Sequence, residues 1–85
     1  MQNEYIDSMI KNMPVLRAAT NMTQVQLAEK VGVSRQTIVA IETRKRPMSW
    51  SLYLAAVFVF EQYEESNNLI GKLELCSSEF IKKHL

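Results

Sequence analysis

The chain has 85 residues, of which 47% are hydrophobic, with only two glycines and two prolines. This size fits one domain, residues 1–85, and the composition excludes a disordered chain and favours an all-helical globule. The net charge of +1 does not indicate a nucleic-acid partner, but the charge is unevenly distributed: residues 1–50 carry seven Lys and Arg against four Asp and Glu, whereas residues 51–85 carry three against five.

The sequence lacks the residues that several classes of function require. Cys76 is the only cysteine, so neither an internal disulfide nor a cysteine zinc cluster is expected, which fits a cytoplasmic protein. The apolar run Leu54–Phe60 is far too short to span a bilayer, and the chain shows no signal peptide. His84 has no metal-ligand partners at suitable spacing, and no Ser/His/Asp set or Gly-rich phosphate loop is present. We therefore expect no enzyme, metal, cofactor, small-molecule substrate or membrane partner.

The first part of the chain, residues 1–11, has the apolar spacing of one amphipathic helical face. Pro14 lacks the N–H that a helix interior requires, so we expect a break near Asn12, with Asn12 as the cap of a helix over Met13–Thr20. A single helix kinked at Pro14 is the alternative. The apolar face consists of Tyr5, Ile6, Met9 and Ile10, and this extension could pack on the domain, reach across to a partner subunit or be mobile. In the helix that follows, Val15 and Leu16 are core candidates.

Two short helices joined by a tight turn are predicted next, over residues 23–42. Thr23 is a suitable N-cap for a helix Gln24–Lys30, and Gly32 supplies the left-handed residue that ends a helix at low cost. Ser34 then caps a second helix, which begins at Arg35 and ends at about Thr43. The residues expected to face the core here are Val25, Leu27, Ala28, Val31 and Val33.

The second of these helices divides into two faces at about 100° per residue. One face suits a core and carries Ile38, Ile41 and Glu42. The opposite face has short side chains that could enter the major groove of DNA without steric obstruction. It consists of Gln36, Val39, Ala40 and Thr43, with Arg35 and Thr37 at its edges.

The pattern T-Q-x-x-L-A-x-x-V-G-V-S-R-Q-T-I-x-x-I-E over residues 23–42 resembles the helix-turn-helix of the phage-repressor and Cro-like (XRE-type) family of transcriptional regulators. The resemblance implies a lambda-repressor-like, all-α, compact bundle of about five helices. Its family core would cover residues 12–62, flanked by an N-terminal extension (1–11) and a C-terminal tail (63–85). It further implies a repressor that binds double-stranded DNA at a two-fold symmetric operator as a homodimer.

The resemblance also assigns roles to individual residues. It implies an ion pair between Arg17 and Glu42 that ties the first family helix to the third. Arg35 and Gln36 are the candidate base readers, since such side chains make paired hydrogen bonds to guanine or adenine. Backbone or side-chain contacts to phosphate are expected from residues at the helix N-termini. The full set of candidate DNA contacts is Gln24, Ser34, Arg35, Gln36, Thr37, Val39, Ala40, Arg44, Lys45 and Arg46.

Three consecutive cations, Arg44, Lys45 and Arg46, follow the second helix of the motif. They are placed either to bind phosphates or to form a solvated turn. Many relatives have a glycine where Arg44 stands. Arg44 must therefore adopt the left-handed conformation itself, or the turn must differ from the family pattern.

A fourth helix is predicted from a cap at Ser49 or Ser51 to about Gln62, with Trp50 packed near the preceding turn. Leu52–Phe60 is almost uninterruptedly apolar, whereas a helix on a small monomer needs only one apolar stripe. We expect a second cover for this helix, either the C-terminal tail or a second subunit. The tail itself is predicted to contain a helix over Glu64–Ile70 and a last helix capped by Ser77 or Ser78.

The apolar C-terminal half supports two interpretations of function. In the first it forms the dimer interface of the DNA-binding regulator. In the second the protein is an interaction module, such as an antitoxin-like or anti-repressor protein, that captures another protein through Leu54–Phe60 and the tail.

Overall fold

The computed structural model describes residues 2–66, and these form four α-helices without any β-strand. The helices are α1 (Gln2–Ala19), α2 (Gln24–Val31), α3 (Arg35–Glu42) and α4 (Trp50–Glu61), and residues 64–66 begin another helical turn. The predicted all-α class is confirmed. The predictions for the rest of the tail, for Cys76 and for His84 lie outside the described residues.

The predicted break near Asn12 is wrong, because α1 is a single helix that contains Pro14 in its interior. Asn12 does not cap a helix; its side-chain Nδ2 donates to the Ser8 carbonyl at 2.8 Å. Pro14 is exposed, whereas core residues lie on both sides of it along α1, at Met9, Ile10, Met13 and Leu16. Burial of this continuous face compensates for the hydrogen bond that proline removes.

The start of α2 follows the sequence prediction closely. The Thr23 hydroxyl accepts from the Gln26 backbone N–H at 3.1 Å, and the Gln26 side chain accepts from the Thr23 N–H at 2.9 Å. This reciprocal capping box satisfies two donors that a helix start leaves free. Gly32 ends the helix with φ +81°, in the left-handed region where glycine has no steric penalty.

One hydrophobic core joins the inward faces of the four helices. Leu27 and Ala28 of α2 and Ile38 and Ile41 of α3 are buried in it, as predicted. Two other core assignments are wrong: Val15 on α1 and Val25 on α2 are exposed. Helical spacing identifies an apolar stripe but not its edges, and both valines lie beyond the part that the neighbouring helices cover.

The fourth helix begins where the Ser49 hydroxyl accepts from the Leu52 N–H at 3.1 Å. Its buried residues are Tyr53, Ala56, Val57 and Phe60. Trp50, the first residue of this helix, stacks on Tyr53 with ring centroids 4.8 Å apart. On the outer side of α4, Phe58 is 60% exposed. Within residues 2–66, no helix combines the length and the hydropathy needed to cross a membrane.

Candidate nucleic-acid interface

The inner side of α3 is anchored by an ion pair with α1. The Arg17 Nε donates to Glu42 Oε2 at 2.8 Å, and Arg17 Nη2 donates to Glu42 Oε1 at 2.9 Å. The side chains are only 18% and 7% exposed, respectively. Two parallel bonds between a guanidinium and a carboxylate fix orientation as well as distance. The pair that the resemblance implied is therefore present, and it joins the end of α1 to the end of α3.

The same carboxylate also holds α2. Gln24 Nε2 donates to Glu42 Oε1 at 3.2 Å, and Arg17 Nη1 lies 3.4 Å from the Met22 carbonyl oxygen. Glu42 thus connects the first residue of α2 to the last turn of α1. The Gln24 side chain is directed towards Glu42, and its backbone N–H lies at the start of α2, where a helix N-terminus favours a phosphate.

The outer side of α3 presents short and polar side chains. Gln36 and Thr43 are exposed, and Val39 and Ala40 are half-buried. This separation of faces follows from the burial of Ile38 and Ile41 and the inward pairing of Glu42 on the same short helix.

The outward side chains of α3 line a concave surface that continues to Lys45, beyond the end of the helix. Its lining includes Thr43 and five of the predicted DNA contacts, which are Arg35, Gln36, Val39, Ala40 and Lys45. Thr37, at the predicted edge of this face, lies on the first turn of α3. The fold therefore brings both candidate base readers and both small apolar side chains onto one surface.

The first turn of α3 forms a small hydroxyl network. The Ser34 hydroxyl accepts from the Thr37 backbone N–H at 3.2 Å, and the two hydroxyl oxygens lie 3.0 Å apart. Arg46 Nη1 donates to the Thr37 hydroxyl at 3.0 Å. The Thr37 hydroxyl carries no charge that would offset the positive charge of the Arg46 side chain. Ser34, Thr37 and Arg46 therefore lie together at one end of the outer face.

The turn after α3 has Arg44 at the position where many relatives have a glycine. Arg44 has φ +62°, so it occupies the left-handed region itself. The Arg44 N–H donates to the Ile41 carbonyl at 3.0 Å and the Lys45 N–H to the Ala40 carbonyl at 2.8 Å, which is the Schellman arrangement. The usual helix ending is thus kept.

The Arg44 side chain makes an ion pair that the sequence did not predict. Its Nη1 donates to Asp7 Oδ1 on α1 at 2.7 Å, and the side chains of Arg44 and Asp7 are 52% and 64% exposed. The three consecutive cations are therefore in different environments. Arg44 faces a carboxylate, Arg46 faces a hydroxyl, and Lys45 lines the concave surface.

Residues 16–49 match the family model described as Helix-turn-helix. This segment is similar to the helix-turn-helix of the XRE-like family. An uncharacterized HTH-type transcriptional regulator of Methanocaldococcus jannaschii is 58% identical over 36 residues, which cover 42% of this chain and 54% of the relative. The chain thus spans about half the length of the curated relative that it matches. No solved structure matches the chain.

Two polar contacts that link α1 and α2 to the end of α3 were missed by sequence reasoning. Asp7 lies before the segment and is 37 positions from Arg44, and no spacing rule connects residues on two such distant turns. The bond from Gln24 to Glu42 links the start of α2 to the end of α3, and it too depends on how the helices pack. The sequence carries no local signal for either contact.

Two further features of the described residues concern metal ligands and buried polar atoms. Within residues 2–66, no three His, Cys, Asp or Glu side chains lie together in an arrangement that could hold a metal ion. In the same range, no buried side-chain nitrogen or oxygen lacks a hydrogen-bond partner. The outer face of α3 is the candidate DNA-binding surface.

Proposed function

We propose that this protein is a cytoplasmic DNA-binding transcriptional regulator, which represses by occupying a two-fold symmetric operator as a homodimer. The outer face of α3 is the observation that carries the proposal. It combines short side chains with Arg35 and Gln36, while the opposite face is locked to α1 and α2 through Glu42. The helix-turn-helix match and the name of the relative support the part of the proposal that concerns a DNA-binding transcriptional regulator.

In the proposed complex α3 enters the major groove. Arg35 would pair with guanine O6 and N7, and Gln36 with adenine N6 and N7. Val39 and Ala40, half-buried on the same face, suit contacts to thymine methyl groups. Such contacts identify the base sequence, whereas contacts to phosphate only position the protein.

Phosphate contacts are proposed for residues around the edge of this face. The backbone N–H of Gln24 begins α2, and Ser34 and Thr37 occupy the start of α3. Lys45 and Arg46 add positive charge beside them. Helix N-termini and exposed cations both favour phosphate, so these groups would fix the position of α3 on the duplex.

The proposal is tested by selecting duplexes from a random-sequence pool and measuring the affinity of variants for the enriched site. Arg35→Ala and Gln36→Ala are each expected to lose about 1–3 kcal/mol on that site and little on random DNA, because they remove base contacts. Arg46→Ala is the matched control. It is expected to weaken both complexes similarly and to reduce the salt slope by about 0.9, as for a phosphate contact.

Two results would contradict this proposal. A protein that binds no duplex at all would exclude the DNA-binding function. Equal losses on selected and random DNA for Arg35→Ala and Gln36→Ala would exclude their role as base readers. Repression itself is tested with a reporter that carries the selected site over its promoter, whose transcription is expected to fall when the protein is expressed.

The homodimer is proposed because two recognition helices about 34 Å apart would meet successive major grooves on one side of the duplex. Phe58 on α4 is a candidate contact, since it is 60% exposed and large apolar side chains contribute strongly to interfaces. Phe58→Asp is expected to lower the solution mass from dimer to monomer in sedimentation. Val15→Asp, at an exposed valine of α1, should leave the mass unchanged.

Phe58 also supports a second candidate function, in which α4 captures a different protein, as an antitoxin-like or anti-repressor module would. A concave surface lined by Lys30, Phe58, Val59, Gln62 and Tyr63 includes this side chain. The two functions differ in sedimentation and selection: a monomer that enriches no DNA sequence favours protein capture, whereas a dimer that enriches a symmetric site favours the operator-binding regulator.

A further inference from the structure

The ion pair between Asp7 and Arg44 places a negative charge beside a proposed DNA-binding cation. We propose that Asp7 competes with DNA phosphate for Arg44, and thereby sets the salt dependence and the sequence-independent affinity of the protein. This inference rests on the proposed DNA-binding function. It assigns to Asp7, which lies before the helix-turn-helix segment, a role in tuning the strength of phosphate binding.

The geometry of the pair suits exchange with a phosphate. Nη1 of Arg44 lies 2.7 Å from Asp7 Oδ1, and both side chains are more than half exposed. An exposed pair of this kind is weak, because water screens the charges and ordering two side chains costs entropy. A phosphate oxygen can therefore replace the carboxylate without first uncovering a buried charge.

The backbone of Arg44 is held firmly although its side chain is exposed. The Schellman hydrogen bonds attach residues 44 and 45 to the last turn of α3. Arg44 therefore stays next to the proposed recognition helix whether its guanidinium contacts Asp7 or a phosphate. The exchange is a change of side-chain partner and needs no movement of α3.

Charge balance explains why Asp7 should matter more than other surface carboxylates. A phosphate contact strengthens at low salt because it releases a counterion from DNA. While Arg44 is paired with Asp7, the pair has no net charge and releases none. If a phosphate replaces Asp7, the freed carboxylate lies near the phosphates and is repelled by them, which favours the paired state of Arg44. Asp7 therefore cancels up to about one unit of counterion release.

The test compares Asp7→Asn with the wild-type protein on random-sequence and selected duplexes over a series of salt concentrations. The variant is expected to show a log–log salt slope steeper by about 0.9 on both duplexes, equivalent to about eight-fold greater affinity for each ten-fold reduction in salt. Glu4→Gln is the matched control. It removes one exposed carboxylate from the first turn of the same helix, and its slope should stay within about 0.3 of wild type.

Two further variants, Arg44→Gly alone and Arg44→Gly combined with Asp7→Asn, test whether the steeper salt slope depends on Arg44. Arg44→Gly removes the guanidinium and places at φ +62° the residue that tolerates this conformation best. It is expected to change the wild-type slope by less than about 0.3. In the Asp7→Asn background it should abolish the steeper slope. Thermal unfolding by circular dichroism verifies that each variant is folded at the temperature of the measurement.

The outcomes separate this inference from the proposed function. Wild-type binding with an unchanged slope for Asp7→Asn would overturn the role of Asp7 and leave the DNA-binding function intact. The role of Asp7 would also be overturned if Asp7→Asn weakened binding, if Glu4→Gln had an equal effect, or if the gain persisted without Arg44. If neither the wild-type protein nor any variant bound a duplex, both proposals would be overturned.

Discussion

Two ion pairs join α1 to the end of α3, and they have opposite physical environments. Arg17 and Glu42 are largely buried and form two parallel hydrogen bonds, and Glu42 also accepts a hydrogen bond from Gln24. Arg44 and Asp7 are more than half exposed and meet through one hydrogen bond. The direction of charge is also reversed, since α1 supplies the cation of the inner pair and the anion of the outer pair.

The difference indicates that similar charges serve different purposes at the two sites. A buried charge that loses its partner remains desolvated, so the inner pair must stay intact for the fold to persist. An exposed charge that loses its partner is solvated by water, so the outer pair can open at low cost. We infer that the inner pair holds α3 in position and that the outer pair affects how the surface meets a charged ligand.

The largest expected effect comes from breaking the inner pair. Glu42→Ala leaves the Arg17 guanidinium partly buried without its carboxylate, and should lower the free energy of unfolding by about 3–5 kcal/mol. Urea unfolding followed by circular dichroism measures this loss. Glu29→Ala, at an exposed glutamate of α2, is the control and should stay within about 0.5 kcal/mol of wild type. A loss below about 1 kcal/mol for Glu42→Ala would show that the inner pair is not essential to the fold.

An intermediate effect is expected from Gln24→Ala, which removes only the third partner of Glu42. A hydrogen bond to a charged group contributes about 1.5–3 kcal/mol, and Arg17 remains to neutralise the carboxylate. Urea unfolding measures the loss, and binding to the selected duplex is measured at a temperature where the variant is folded.

Gln36→Ala gives the complementary control for Gln24→Ala. Gln36 is exposed on the outer face of α3, so its removal should reduce base discrimination and leave stability within about 0.5 kcal/mol. If Gln24→Ala reduced DNA affinity without reducing stability, the Gln24 side chain would act in DNA binding rather than in the hydrogen bond to Glu42.

The smallest effect is expected when the outer pair is broken. A double-mutant cycle with Asp7→Asn and Arg44→Gly should give a coupling free energy of about 0.2–1 kcal/mol, which decreases as salt is added. Thermal and urea unfolding at low and high ionic strength provide the measurement. A coupling as large as that of the inner pair, or one insensitive to salt, would remove the distinction between the two pairs.

Much of the helix-turn-helix was predictable because its determinants are local. Thr23, Ser34 and Ser49 accept hydrogen bonds from backbone N–H groups three residues later, and Gly32 adopts the conformation that its position requires. Capping depends on atoms within one turn of helix, so residue type and spacing indicate it well. The division of α3 into a core face and an outer face followed from helical periodicity in the same way.

Predictions that depended on contacts between residues distant in sequence were less successful. The prediction of a break at Asn12 did not take account of the core contacts on both sides of Pro14, which stabilise α1 as one helix. Val15 and Val25 have helical spacing suited to burial, but both remain exposed in the packed domain. The proposed DNA contacts and the homodimer stay predictions, because they concern partners outside the chain.

The sequence by itself determined the all-α class, the caps of α2, α3 and α4, and which residues of α3 face outward. These properties depend on hydrogen bonds and side-chain directions within one or two helical turns. Only the tertiary structure decided that α1 continues through Pro14, that Gln24 is directed towards Glu42, and that Asp7 meets Arg44. Each of these depends on the packing of helices distant in sequence, and no local pattern in the chain specifies that packing.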